Sequence, residues 1–273
     1  RPGVALEEFS AAVGLAESLA GKSPDEYDLA YNLADTRSWI GTTLLELGRL
    51  VEARDAFAMA VAAIRPFHDK AQDRRASYDY SRLLTLQADA DINLGEVGAA
   101  RPALEESLAV FRRLLESDPS NTTWLYSALT AEVHLLGLVP PAEWTETERA
   151  ELGRIESKLG SSSAGEASDK DYIRLVFRVR NLRDVVLLHQ GDAPAALRSA
   201  RQTQRDWQAA RRGKTMIPEF TLIEVRTDEI LGSALAASGD VAAARDVWQA
   251  AAERLDAGTT AHPSLLAIRR LLA

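Results

Sequence analysis

The chain has 273 residues, of which 46% are hydrophobic and 26% charged, with 32 basic against 40 acidic side chains. That is enough chain for one large domain or two small ones with a sizeable core, and it excludes disorder over the whole length. There is no cysteine, which excludes disulfides, thiolate zinc sites and a cysteine nucleophile; the formal charge of −8 argues against general binding to a nucleic-acid backbone.

Alanine supplies 46 residues against 16 glycines and 10 prolines, a helix-rich balance. The longest apolar run, Ala56 to Ile64, is far short of the roughly 20 residues needed to span a bilayer. No membrane insertion is therefore expected. No signal peptide or lipidation motif stands at the N-terminus, which favours the cytoplasm; a periplasmic fragment of a membrane-anchored protein is the alternative. An excess of 27 arginines over 5 lysines points to a GC-rich bacterial genome.

Taken in chain order, residues 4–20 read as a helix with a small–aromatic–small spacing at Ala5, Phe9 and Ala12. Leu29, Leu33, Ile40, Leu44 and Leu45 then recur at helical spacing up to Gly48, and Leu50, Phe57, Val61 and Ile64 continue beyond it. Gly48 reads as the left-handed residue that ends one helix and turns into the next. The unit is helix, tight turn, helix, and it repeats. The spacing Ala53, Phe57, Ala60 returns as Ala100, Leu104, Ser107, as Ala196 and Ala200, and as Ala244, Trp248, Ala251. The first alanines fall at 5, 53, 100, 196 and 244, a beat of about 48 with a degenerate copy near Ala150. Gly48, Gly95, Gly191 and Gly239 stand five residues before these alanines. Gly41 and Gly232 stand seven residues before the turn, with Gly137 in that place in the degenerate copy, where a missing side chain lets helices approach closely.

The middle of the chain departs from the pattern. Pro140 and Pro141 must end or kink the helix that starts near Thr122. Residues 160–168 read as a flexible loop. A bend or subdivision is expected over 138–168, between an N-terminal half of 1–138 and a C-terminal half of 169–273. Residues 263–273 look like the opening of a further helix. Both ends cut through the repeat frame, as expected of an excised piece of a longer protein or of single-helix caps.

The run Gly41, Gly48, Ala53, Phe57, Ala60 and the run Gly232, Gly239, Ala244, Trp248, Ala251 resemble the signature of the tetratricopeptide repeat, with Pro66 near the position of its closing proline. The stretch ESDPSNTTWLYSAL resembles a junction of long bacterial repeats of this type. The standard repeat is 34 residues, so helices one or two turns longer are expected here. The resemblance implies an all-α, right-handed solenoid of 11 or 12 helices over essentially the whole chain. It also implies a scaffold or sensory role beside a fused effector domain.

Candidate chemistry fails on spacing. Gly21-Lys22-Ser23 lacks the glycine of a phosphate loop and follows a helix. Asp89, Asp91, Asn93 and Gly95 imitate a calcium loop, but Ala100 stands where a bidentate Glu is needed. His68, His134, His189 and His262 form no metal spacing and read as surface or helix-end residues. Asn121-Thr122-Thr123 reads as a helix cap. No enzyme activity, metal or cofactor is expected. Trp248 takes the place of Phe57 in the frame and reads as core; Trp39 and Trp124, on first helices, are candidates for the core or for the groove.

The strongest functional signal is a register of arginines. Arg82, Arg178 and Arg226 stand six residues before the position of Gly41, where Asp35 stands in the first copy. By the resemblance, that position faces a concave groove, with Ser38, Thr42, Thr85, Asp89, Asn181, Glu229 and Ser233 beside it. A row of guanidiniums would hold carboxylates or phosphates through bidentate hydrogen bonds. Against that, Asp79, Asp89, Glu224 and Glu229 are near enough in sequence to pair with the arginines internally. The reading is a non-enzymatic module that captures a protein or peptide partner. The alternatives are a small-ligand sensor near the Pro140 break, and a spacer or self-associating element.

Overall fold

A computed structural model describes residues 2–71, 73–161, 170–213 and 218–261, and every regular element in them is helical. Eleven α-helices follow one another among the described residues: α1 (Pro2–Lys22), α2 (Tyr27–Glu46), α3 (Leu50–Ala71), α4 (Arg74–Leu94), α5 (Val97–Ser117), α6 (Thr122–Gly137), α7 (Glu146–Ser161), α8 (Lys170–His189), α9 (Ala193–Ala210), α10 (Pro218–Ala237) and α11 (Val241–Ala261). A single 3₁₀ turn, Pro141–Glu143, follows α6, so the chain leaves the helix three residues before Pro140. Within the expected loop at 160–168, Gly160 and Ser161 end α7 and the remainder lies outside the described residues, as do residues 263–273.

Each tight turn is built the same way. Gly48, Gly95, Gly191 and Gly239 have φ of +71°, +79°, +77° and +89°, a region that costs any residue with a Cβ. At three of them the next N–H reaches back five residues: Arg49 to the Leu44 carbonyl at 2.9 Å, Glu96 to Asp91 at 2.8 Å, Asp240 to Leu235 at 3.0 Å. This is the Schellman arrangement, which satisfies carbonyls that a helix end would otherwise leave unpaired. Asp192 and Asp240 then cap the helices that follow, accepting from the backbone N–H of Ala195 and Ala243. Asn121 caps α6 in the same way, accepting from Trp124 N–H at 3.0 Å.

The chain forms two compact units, one of residues 1–135 and one running on from Leu136. In the first unit, Ala30 and Ala34 of α2, Ala60, Val61 and Ile64 of α3, and Tyr80, Leu83 and Leu84 of α4 form one buried cluster. Leu44, Ala53, Phe57 and Ala90 form a second. In the second unit, Ala196 and Ala200 of α9 pack with Ile230, Leu231, Ala234 and Leu235 of α10 and Ala244 of α11. Phe177, Trp207 and Phe220 interlock edge to face, with ring centroids 5.0 and 5.7 Å apart.

The sequence frame is a packing frame. A Cβ on Gly41 would lie 2.7 Å from the Phe57 ring, and one on Gly232 would lie 2.3 Å from Trp248 Nε1. The same pair of positions holds Ala88 with Leu104, and Asp184 with Ala200. Where the second helix brings a ring, the first brings no side chain; where the second is small, the first is larger. Gly137 has open space at its Cβ position and does not play this part, because the proline break ends α6 there. Pro66 does not close its helix, since α3 continues to Ala71.

Candidate functional site

In the first unit, α2 and α4 carry interleaved polar residues at helical spacing: Tyr27, Tyr31 and Asp35 on one, Arg75, Asp79 and Arg82 on the other. Arg82 donates to Asp35 Oδ1 at 3.3 Å, both side chains being about one-third exposed. Tyr27 O–H donates to Asp79. The Arg75 guanidinium lies 5.1 Å from the ring centroids of both Tyr27 and Tyr31 and pairs with Asp28 at 3.0 Å. Burial pushes the Asp79 carboxyl above the usual aspartate range, although the Tyr27 hydrogen bond and the arginines pull it down. Burial likewise raises the phenols of Tyr27 and Tyr31.

The other oxygen of Asp35 accepts from Trp39 Nε1 at 3.1 Å, one helical turn further on. The Trp39 ring stacks on Phe9 of α1, with centroids 6.4 Å apart and an interplanar angle of 16°. Trp39 nevertheless remains 53% exposed. A large apolar ring is thus held by two contacts while much of it faces water, beside a carboxylate.

The remaining first-helix candidates are locally bonded. Ser38, Thr42 and Ser233 return their hydroxyl hydrogens to carbonyls of the preceding turn, and Ser38 is buried. Thr85 does the same and also meets Ser107 Oγ at 2.9 Å. Asp89 lies 3.1 Å from Nε2 of His134, which stands in the last turn of α6, one of the two places expected of it, and is buried there.

In the second unit, Arg226 pairs with Glu229 at 2.7 Å, three residues along α10, and Arg178 is exposed on α8. Asn181 is buried and accepts from Thr227 Oγ1 at 3.2 Å. Arg82 thus meets the internal carboxylate of Asp35, and Arg226 that of Glu229.

Sequence reasoning named Glu224 as a partner for arginines but missed the burial of a set of acids to which it belongs. Asp184 accepts from Ser199 and from Thr203, the latter at 2.7 Å, and lies 3.3 Å from Arg183. Arg183 reaches on to Glu156 of α7 at 3.0 Å. Glu224 and Asp228, one turn apart on α10, are buried and meet Arg254 of α11; Gln204 of α9 donates to Asp228 at 2.8 Å. The one available signal was Asp184 itself, a charge in a register that otherwise holds glycine or alanine.

Trp248 is a correction. It packs on Gly232 and donates to the Glu229 carbonyl at 3.1 Å, but it is 40% exposed, whereas Phe57 in the same register is fully buried. Trp144 and Trp207 are buried, and Trp144 bonds the Val139 carbonyl just before the proline pair. His68 lies in the last turn of α3, stacked on Tyr80, and His189 bonds the Val185 carbonyl at the end of α8; His262 lies outside the described residues.

Among the described residues no helix is long and apolar enough to cross a membrane. No protein-family model and no curated protein matches the chain. Among solved structures it is similar to the crystal structure of BtubC (BKLC) from P. vanneervenii, with a TM-score of 0.64 and 17% sequence identity over 94% of this chain and 92% of that one. At that identity the likeness is one of fold, and the shared fold is all-helical and helical-repeat-like.

Proposed function

We propose that this chain is a non-enzymatic interaction module of the tetratricopeptide-repeat type, with long repeats of about 48 residues. It binds a peptide or helix of a partner protein on the face carried by its first helices, as part of a bacterial signalling or regulatory protein. The observation that carries this reading is Trp39. An exposed ring fixed in place by Phe9 and Asp35 has little freedom left to lose on binding, and such aromatic anchors dominate protein interfaces. The repeat frame supports it, because stacked hairpins offer extended surfaces for such partners.

Partner capture from bacterial lysate, followed by cross-linking and mass spectrometry, tests the reading. The expected result is a protein cross-linked to α2, α4, α8 or α10 and lost in a Trp39→Ala variant with unchanged helical circular dichroism. Cross-links confined to second helices, or no captured protein, would overturn it. Self-association is a second reading favoured by α1, whose Leu15 and Leu19 are 65% and 41% exposed on one helical face. Sedimentation velocity of Leu15→Glu beside wild type distinguishes it, since only a self-associating chain changes its sedimentation coefficient.

A further inference from the structure

We infer that the corner formed by Phe9, Trp39 and Asp35 receives a cationic side chain, arginine above all, from a basic partner peptide. The inference rests on the interaction-module reading and reverses the charge expected of the ligand. Three observations carry it. The Trp39 ring has Phe9 stacked on one side and remains more than half exposed, so it offers a platform. Asp35 stands at the edge of that ring with one contact on each oxygen, from Trp39 and from Arg82, and a carboxylate has roughly four acceptor sites. The surroundings are acidic. Residues 2–45 hold seven carboxylates against two cations, and Lys70, Arg75 and Arg82 of later helices pair with Asp25, Asp28 and Asp35, which leaves a net −2 there. Glu7 and Glu8, immediately before Phe9, are exposed and make no ion pair among the described residues.

A guanidinium is the group that uses all three features. It stacks on an indole face, it binds a carboxylate with directed N–H donors, and the local field attracts it. Arg82 already shows that the Asp35 carboxylate accepts a guanidinium from across the helix pair. An acidic peptide would meet the same field as repulsion, and a purely apolar one would leave the Asp35 carboxylate unused.

The test is fluorescence anisotropy on the full chain with three labelled 12-residue Gly-Ser peptides carrying four arginines, four lysines or four glutamates. The arginine peptide should bind tightest and the lysine peptide more weakly. Raising NaCl from 50 to 500 mM should weaken both, as screening requires. Trp39→Ala and Asp35→Asn should each weaken arginine-peptide binding tenfold or more, and Trp39→Phe should restore most of the loss in Trp39→Ala. Arg82→Gln should bind as tightly as wild type or tighter, because it frees an Asp35 oxygen. The inference is overturned if the arginine peptide does not saturate wild type, or if Trp39→Ala and wild type bind it equally. If the glutamate peptide binds instead and an Arg82→Glu, Arg178→Glu, Arg226→Glu variant loses it, the interaction-module reading stands and this inference falls.

Discussion

Gly41 and Gly232 show how one missing side chain sets the distance between two helices. The same contact has different slack at the two places, because Phe57 is fully buried and Trp248 is exposed enough to swing away. Gly41→Ala is therefore expected to destabilise by about 1–2 kcal/mol, an overpacking cost reduced by alanine's better helix propensity. Gly232→Ala should change stability by less than about 0.5 kcal/mol, since the two effects nearly cancel there. Urea unfolding midpoints of the two variants check the contrast, and equal losses would show that Trp248 is as confined as Phe57. Asp79 carries a pH signature. Burial raises its folded pKa, so the folded state binds more protons than the unfolded state in the window just above the ordinary aspartate value. Its contribution to stability therefore falls as pH rises through that window. Asp79→Asn keeps an oxygen for the Tyr27 hydroxyl and removes the titration. Its stability relative to wild type should rise with pH across the window and then stay constant, and denaturation at a series of pH values reads this directly.

At the scale of the helix, what holds an end and what holds a pair are different. The ends are local: a left-handed glycine, its returning N–H and an aspartate cap lie within a few residues of one another. That is why the turns at Gly48, Gly95, Gly191 and Gly239 were legible in the sequence. The buried acids of α8 and α10 are not satisfied locally: apart from Arg183 beside Asp184, the hydrogen-bond donors to Asp184 and Asp228 come from helices 15 to 26 residues away. In a linear reading Asp184, Glu224 and Asp228 look like any solvated carboxylates. Asp184→Ala is expected to cost about 2–4 kcal/mol, because it strands the hydroxyls of Ser199 and Thr203 and leaves Arg183 with fewer acceptors. Thermal and urea unfolding measure it. A loss below about 0.5 kcal/mol would mean that water replaces the carboxylate in the α8–α9 contact.

At the scale of the molecule, a chain of stacked hairpins spreads damage to neighbours and little further. Phe57 packs among residues of α2, α3 and α4. Phe57→Ala should remove about 3–5 kcal/mol of packing. Hydrogen exchange followed by mass spectrometry should then show faster exchange in those three helices and unchanged protection in α8, α9 and α10. Uniform acceleration along the whole chain would instead mark it as one cooperative block.

By itself the sequence determined that the chain is helical, where most helices turn, and which small and large residues meet across each hairpin. Those features depend on backbone propensity and on spacings along one or two helices. The tertiary structure decided which polar groups are spent internally and which remain exposed. Arg82 meets Asp35 only because α2 and α4 lie side by side, and the carboxylates on α8 and α10 are buried only because α9 and α11 cover them. Trp39 is exposed and Trp207 buried although both are tryptophans on helices, because one stacks on a single ring and the other is enclosed by Phe177 and Phe220. Burial is a property of what surrounds a residue in space, and no spacing along the chain specifies it.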